Sequence, residues 1–555
     1  MPPKPQLLTA IILLLCGAAL VTFWPTSEAE FLEWDDDHNV YHNAHLESLN
    51  ADNLRWMFFD VGRDTRYKAL SWLVWAGLRQ AFGLHAPAFH AANLALHTVN
   101  VVLLFAVLLR LLALAGVTDD EHRLWPASGA ALFWALHPLR VEPVAWVTGL
   151  PYHLSLLFLL LALIAYLHLD FRRPAFRQPR YWWTLLGMSG AMLSYPMPAG
   201  AFVFFLSLNI FPLRRLRLSG VNLLTDRGNL RVGLELLPLL LICMGLLGAS
   251  IYGAHVQQGI HAPPPDLAQF PLVKRVAQAG YILFYYLWKP LLPTDLSPVY
   301  QTFSNFDPAS PAFVLSGTVV VILTFLAWRR RSDRPGFTAF WLAHLGVLAP
   351  VLGVDVLGHV AADRYAIIHG TLISAALALF LARPFSEQNR VALLTALATA
   401  MLLFAVQSRR LCHHWHDNVS FFTFQLASLP PGGAKAQAHF RLGSELARRG
   451  DHANAVIQYQ AAKAAYPAAN IATLPYRHAE SLYALGRFAE AADRYREAAA
   501  LCPEAYEIWY GFALSLVRLG QLHEAADICR MAAARHPEVP EFREELERIK
   551  ARLSR

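Results

Sequence analysis

The chain has 555 residues, 55% of them hydrophobic and only 16% charged. Soluble proteins carry about 25% charged residues, so composition excludes an ordinary water-soluble enzyme of this length. The net charge of +7 does not point to nucleic acid. Many of the arginines sit in short clusters beside apolar runs (Arg172-Arg173, Arg214-Arg215, Arg329-Arg330-Arg331), and no basic stripe is interleaved with stacking aromatics.

Spanning a bilayer takes about 20 apolar residues as a helix. The expected spans, in order, are 7–24, 88–112, 125–146, 153–170, 181–194, 196–213, 232–254, 311–328, 338–357, 365–382 and 390–406. The first is long for a signal-peptide core and reads as an uncleaved anchor, although Ser27-Glu28-Ala29 offers small residues for cleavage. Both readings put residue 30 on the far side of the membrane. Basic loops 171–180, 214–231 and 329–335 are then expected in the cytoplasm. Twelve spans would push the last of these outside, so Val273–Leu292 is expected to be a re-entrant or interfacial helix on the outer face. Eleven spans leave the C-terminal domain outside. The predicted outer surface comprises Glu30–Pro87, the turn near Thr148–Tyr152, the bend near Tyr195, parts of His255–Asp307, and Gly358–Arg364.

Charges at membrane edges are costly, which makes them functional candidates. In the first outer loop, Asp35, Asp36 and Asp37 are adjacent carboxylates. Such neighbours raise one another's pKa, and can act as a general base or hold a divalent cation. The alternative is a solvated acidic loop. The third span ends in His137-Pro138-Leu139-Arg140-Val141-Glu142-Pro143. Its two prolines predict a broken helix end lining a cavity, with a structural Arg140–Glu142 pair as the plainer reading.

Lys289 closes the re-entrant helix and offers a cation for a phosphate, or snorkels to the interface. Asp363, Arg364 and Tyr365 stand where the ninth span turns into the tenth. Arginine suits bidentate phosphate binding, and interfacial anchoring by Arg364 and Tyr365 is the alternative. His413, His414, His416 and Asp417 lack a second ligand group, so 411–435 reads as a juxtamembrane linker rather than a zinc site. The five cysteines show no CxxC spacing and form neither a disulfide framework nor a metal motif.

From 436 to 555 the composition turns polar and Ala-rich. Gly450, Gly486 and Gly520 recur at intervals of 36 and 34 residues. Each is followed at fixed offsets by alanines and a proline: Ala455, Ala462 and Pro467; Ala491, Ala498 and Pro503; Ala525, Ala532 and Pro537. This period is that of tetratricopeptide (TPR) helix pairs, and Glu541–Arg552 reads as a polar capping helix. The fold class is therefore all-α: a polytopic transmembrane bundle over 1–410 followed by a TPR solenoid, which either buttresses the bundle or binds a protein or peptide.

Five segments taken in order resemble the transmembrane-and-TPR O-mannosyltransferases and their bacterial relatives, within the GT-C class of glycosyltransferases. They are WDDDHNVYHN at 34–43, FHAANLALHTVN at 89–100, HPLRVEPVAWV at 137–147, YLWKPLLPTDLSPVY at 286–300 and AADRYAIIHG at 361–370. The resemblance implies a GT-C-like bundle, a polyprenyl-phosphate sugar donor and inverting transfer on the non-cytoplasmic face. It implies that Asp35-Asp36 supplies the base, with Asp35 favoured, and that Arg364 with Lys289 meets the donor phosphate. His137, Arg140, Glu142, Asp363 and Tyr365 would support them. No metal is needed in that scheme, though Asp35–Asp37 leaves a divalent metal open. The compact length suits a bacterial inner membrane, with the TPR domain on the non-cytoplasmic side.

The chain departs from the family pattern at several positions. Relatives often carry a charged Arg-x-Asp where this chain has Leu150-Pro151-Tyr152, a lysine where it has Tyr195, and an aspartate where it has Asn209. These departures bear on the donor sugar and on activity itself. The competing expectations are a non-catalytic TPR scaffold and a transporter of lipid-linked sugar.

Overall fold

A backbone buried in lipid must satisfy its own hydrogen bonds, and in the computed structural model every regular element among the described residues is a helix. The described residues are 5–60, 67–218, 225–261, 270–298, 300, 306–353, 361–467 and 473–554, without the side chains of 120, 121 and 254–261. Parts of three expected outer loops (61–66; 262–269, 299 and 301–305; 358–360) lie outside them, as does 219–224 of one basic loop. The chain divides into two compact units, Met1–Asp417 and Asn418–Arg555.

The first unit holds α1 (Pro5–Phe23), α2 (Ala51–Phe59), α3 (Ala69–Phe82), α4 (Ala86–Leu114), α5 (Asp120–Leu136), α6 (Val141–Ala145), α7 (Leu150–Leu167), α8 (Pro179–Ser194), α9 (Phe202–Ile210), α10 (Arg227–His261), α11 (Leu272–Trp288), α12 (Pro311–Arg329), α13 (Pro335–Leu348), α14 (Ala366–Leu381) and α15 (Glu387–Cys412). Among the described residues, seven helical stretches are long and apolar enough to cross a membrane: Pro5–Glu28, Ala86–Leu114, Val147–Leu167, Arg227–Gly253, Pro311–Arg329, Asp363–Leu381 and Glu387–Trp415. The other four expected spans coincide with the shorter helices α5, α8, α9 and α13. Proline accounts for the difference. It removes a donor and pushes its predecessor out of the helical region. Thus α5 stops before His137-Pro138, α8 stops before Tyr195-Pro196, and Pro350 follows α13.

The break after α5 places irregular backbone inside the bundle, where bare carbonyls are costly. α4 answers with a polar stripe. His90, Asn93, His97 and Asn100, spaced three, four and three residues apart on one helix face, are all fully buried. Asn93 Nδ2 donates to Trp146 O at 2.6 Å, and Asn100 Nδ2 donates to His153 O at 2.9 Å. His97 Nε2 lies 3.1 Å from Ala135 O, and His90 Nε2 lies 3.2 Å from Glu30 O. A carbonyl only accepts, so both imidazole nitrogens carry the proton.

The segment 411–435 is largely helical. α15 runs to Cys412, a 3₁₀ turn follows at His413–Trp415, and α16 (Asn418–Ser428) opens the second unit. That unit continues in pairs: α17 (Gly433–Arg448) with α18 (His452–Ala465), α19 (Leu474–Ala484) with α20 (Phe488–Leu501), and α21 (Tyr506–Leu519) with α22 (Leu522–Arg535). α23 (Glu541–Leu553) closes it. Gly450, Gly486 and Gly520 sit between the paired helices at φ of 85°, 74° and 79°, a conformation open to glycine without steric penalty. The repeated alanines Ala455, Ala491 and Ala525 are fully buried, which is why a larger side chain is absent at that offset.

Replacing Asn93 by Leu removes one of the two donors to the Trp146 carbonyl and leaves it the Gly149 N–H at 2.9 Å. Loss of roughly 0.5–1.5 kcal/mol of stability is expected, measured by unfolding of the detergent-solubilised chain. An unchanged midpoint would show that the stripe carries no such load.

Candidate functional site

The acidic loop follows α1 and a 3₁₀ turn at Trp24–Glu28. It is held at two points that flank one residue. Trp146 Nε1 donates to Trp34 O at 2.7 Å. Asp36 is fully buried, and its carboxylate accepts from Thr148 N at 2.9 Å, Thr148 Oγ1 at 2.6 Å and Leu32 N at 2.9 Å. Between these anchors stands Asp35, exposed, at φ +69°. Few residues other than glycine hold that backbone, which clusters at functional sites. The Asp35 carbonyl accepts from Asn39 N and Asn39 Nδ2, each at 2.9 Å. Lys68, itself buried, donates to Asn39 Oδ1 at 2.7 Å and fixes that asparagine. The base candidate thus projects from a loop whose shape is set by its neighbours.

The receiving surface is the broken stretch after α5. α6 and the 3₁₀ turn Val147–Gly149 fold back tightly enough that a Cβ on Gly149 would lie 2.2 Å from Pro143 O. Only glycine permits that approach, and it presents Thr148 to Asp36.

Trp146 also meets Arg364, whose guanidinium carbon lies 5.7 Å from the indole centroid and 5.0 Å from that of Tyr365. Arg364 is doubly tied to Glu142: its Nη1 reaches Oε1 at 2.5 Å, and its backbone N donates to Oε2 at 2.8 Å. Glu142 is almost wholly buried, and Arg364 is partly so. Arg364 Nε has no hydrogen-bond partner among the described residues. The Arg140–Glu142 pair considered from the sequence does not form. Arg140 instead lies beneath the bundle surface with Nε and Nη1 unpartnered among the described residues, 5.2 Å from the Trp134 ring centroid. Chain proximity misled here, because the turn at 138–140 sends Arg140 inward while Glu142 faces Arg364.

Asp363 is buried and accepts from Tyr300 OH at 2.6 Å. Lys289 is buried too. Its Nζ donates to Thr294 O at 2.5 Å and lies 4.9 Å from the Trp288 ring centroid. His137 joins this turn to the end of α5. Its Nδ1 accepts from Leu139 N at 3.1 Å, so Nε2 is the donor to Pro290 O at 2.9 Å. Tyr365 is buried, with its ring 6.3 Å from that of Tyr152, whose hydroxyl meets Tyr195 OH at 3.0 Å. Two positions where the chain departs from the family pattern are therefore joined to each other and packed beside the Arg364 segment.

Arg364 stands against Trp146 with Glu142 bound to it, and the loop carrying Asp35 and Asp36 is tied to Trp146 and Thr148, while Lys289 and His137 meet the turn after Trp288 and Lys289 lies over Tyr300, the donor to Asp363. Among the described residues no three His, Cys, Asp or Glu side chains converge as a metal site. Asp35 and Asp37 are the loop carboxylates left to a cation, since the oxygens of Asp36 are engaged. Trp34, Trp146, Thr148 and Tyr300 were not singled out in the sequence. Trp146 had a signal, lying in a segment of family resemblance, but a lone tryptophan at a membrane edge reads as an anchor.

Burial pushes the Asp36 carboxyl up to about 7, against three donated hydrogen bonds that favour its ionised form. The folded chain then holds a proton here that the unfolded chain has released. This contribution to stability is full below about pH 4 and is lost as pH rises through about 7. The unfolding midpoint of the parent, referred to that of Asp36→Asn, is expected to fall between about pH 5 and about pH 8. Parallel profiles would place the proton elsewhere.

The tetratricopeptide repeat family matches residues 476–540, from α19 to the proline before α23. No curated protein matches the chain. The second unit is a TPR array by period, by helix pairing and by this match.

Proposed function

We propose that the chain is a membrane glycosyltransferase that moves a sugar from a polyprenyl-phosphate donor to a protein acceptor. The carrying observation is the pairing around Trp146: an exposed carboxylate fixed between two anchored residues, and a guanidinium against the same indole. In the reaction, the Asp35 carboxylate takes the proton of an acceptor hydroxyl. The hydroxyl oxygen bonds to the anomeric carbon from the face opposite the phosphate. The bond from that carbon to the phosphate oxygen breaks, and its electron pair leaves on the lipid phosphate. Arg364, with Lys289 behind it, meets the developing negative charge. Asp36 positions the base rather than acting as one.

The charge bias of the loops supports a non-cytoplasmic site with the TPR unit on the same side. TPR repeats serve protein recognition, which supports a protein acceptor over a small one. The scaffold reading draws on one observation, the Glu142–Arg364 pair, which already neutralises the cation a phosphate would need.

Transfer of radiolabelled sugar from a membrane donor extract to protein separates the two. Asp35→Asn is expected to lower kcat by roughly 10²–10⁴-fold, the usual worth of a general base, with the unfolding midpoint kept. Arg364→Lys, which loses the planar fork, is expected to reduce kcat/KM by roughly tenfold or more. Undiminished transfer by Asp35→Asn would refute the base. A parent chain that transfers nothing while binding protein would support the scaffold.

A further inference from the structure

A concavity lies in the first unit, away from the candidate active site. Its volume is about 720 Å³, within the roughly 300–1,000 Å³ range of ligand sites. The walls are apolar, formed by Leu108 of α4, Leu160 of α7, Phe204 of α9, Phe340 of α13, and Ala375 and Leu379 of α14. Three of these helices begin at the candidate active site: His90 is in the first turns of α4, Thr148 just precedes α7, and Arg364 just precedes α14. Each reaches the groove with its later turns. Thirteen residues of α7, from Leu150 to Leu163, place the groove about 20 Å away.

The mouth is basic. Arg214, Arg334 and Arg383 line it, against one carboxylate, Asp333. The three arginines come from separate chain segments, all are exposed, and none forms an ion pair among the described residues. Arg383 follows the end of α14, where a cation complements the helix dipole. That explanation fails for the others. Arg334 occupies the N-cap of α13, the end where a cation is unfavourable. Arg214 is held at φ +51°, rare outside glycine. The Arg334 charge thus stands where the helix dipole opposes it, and the Arg214 backbone stands where sterics do.

We propose that the groove is a selective site for an anionic membrane phospholipid, with an acyl chain along α4, α7 and α14 and its phosphate against Arg214, Arg334 and Arg383. Bulk lipid would fill the apolar walls without regard to headgroup, and the arginines would select. Arg214 and Arg334 belong to the loops that the charge bias assigns to the cytoplasmic leaflet, where anionic headgroups attract basic residues. This inference does not depend on the transferase reading.

The purified full chain in detergent is titrated with phosphatidylglycerol and with phosphatidylcholine of identical acyl chains, and retained lipid is counted by native mass spectrometry. Preference for phosphatidylglycerol of roughly tenfold or more is expected. In Arg214→Gln/Arg334→Gln/Arg383→Gln, all exposed positions that need not disturb folding, the preference should fall to near parity. In Ala375→Trp, which fills the groove, both lipids should be lost. Parity in the parent, retention of neither lipid, or a preference surviving in the triple variant would each overturn the proposal. Unchanged occupancy in Ala375→Trp would move the lipid off this groove and do the same.

Discussion

One buried hydrogen bond, from the Asn93 amide to the Trp146 carbonyl, holds the place where helical order is interrupted inside the first unit. The interruption is what makes a site available. A continuous span from 125 onward would have kept every carbonyl within its own helix and offered no edge for the acidic loop. Once the chain breaks at His137, Trp146 and Thr148 are free to face the loop, and α4 must supply the donors that the helix no longer provides. Trp146 then works in three directions: its carbonyl to Asn93, its indole N–H to Trp34, and its ring to Arg364.

The charges around this block are buried to a degree that argues against simple solvated loops. Removing a carboxylate and a guanidinium from water costs several kcal/mol per ion, and an ion pair often does no better than an apolar substitute. Glu142–Arg364 is thus weak evidence for stability and stronger evidence for register, since it joins residues 222 apart in sequence at a fixed geometry. Arg140 and Lys289 are held among aromatic faces, which accept a cation without neutralising it. The group as a whole keeps positive charge in reserve beside a carboxylate.

The repeat unit was legible in the sequence because its constraint is local and recurrent: a turn that needs glycine and a helix contact that needs alanine, three times over. The apolar helices were legible for the same reason. Their number was less so. Hydropathy counts residues without regard to where proline ends a helix, so 125–146 reads as one span while α5 stops at Leu136. In the acidic loop, three adjacent aspartates look alike in sequence. The structure separates them by partner: Asp36 turns inward to Thr148, more than a hundred residues away, and Asp35 is left outward. Nothing local encodes that choice. The α4 stripe was within reach, since His90, Asn93, His97 and Asn100 follow a three-four-three spacing, but polar residues in an apolar run gain meaning only once the carbonyls opposite them are known.

That stripe bears on how the protein is made. Asn93 precedes its partner Trp146 by 53 residues. At about 5–20 residues per second, translation leaves the new helix waiting roughly 3–10 s before the carbonyl it serves exists. During that interval two amides and the His97 imidazole lie in or beside the bilayer with no protein backbone to receive them, whereas the Glu30 carbonyl that meets His90 has already been made. α4 must therefore be apolar enough elsewhere to be inserted on its own account, and the long leucine- and valine-rich stretch after Asn100 provides this. The order of synthesis, more than the finished packing, explains why the polar face occupies the first half of the helix.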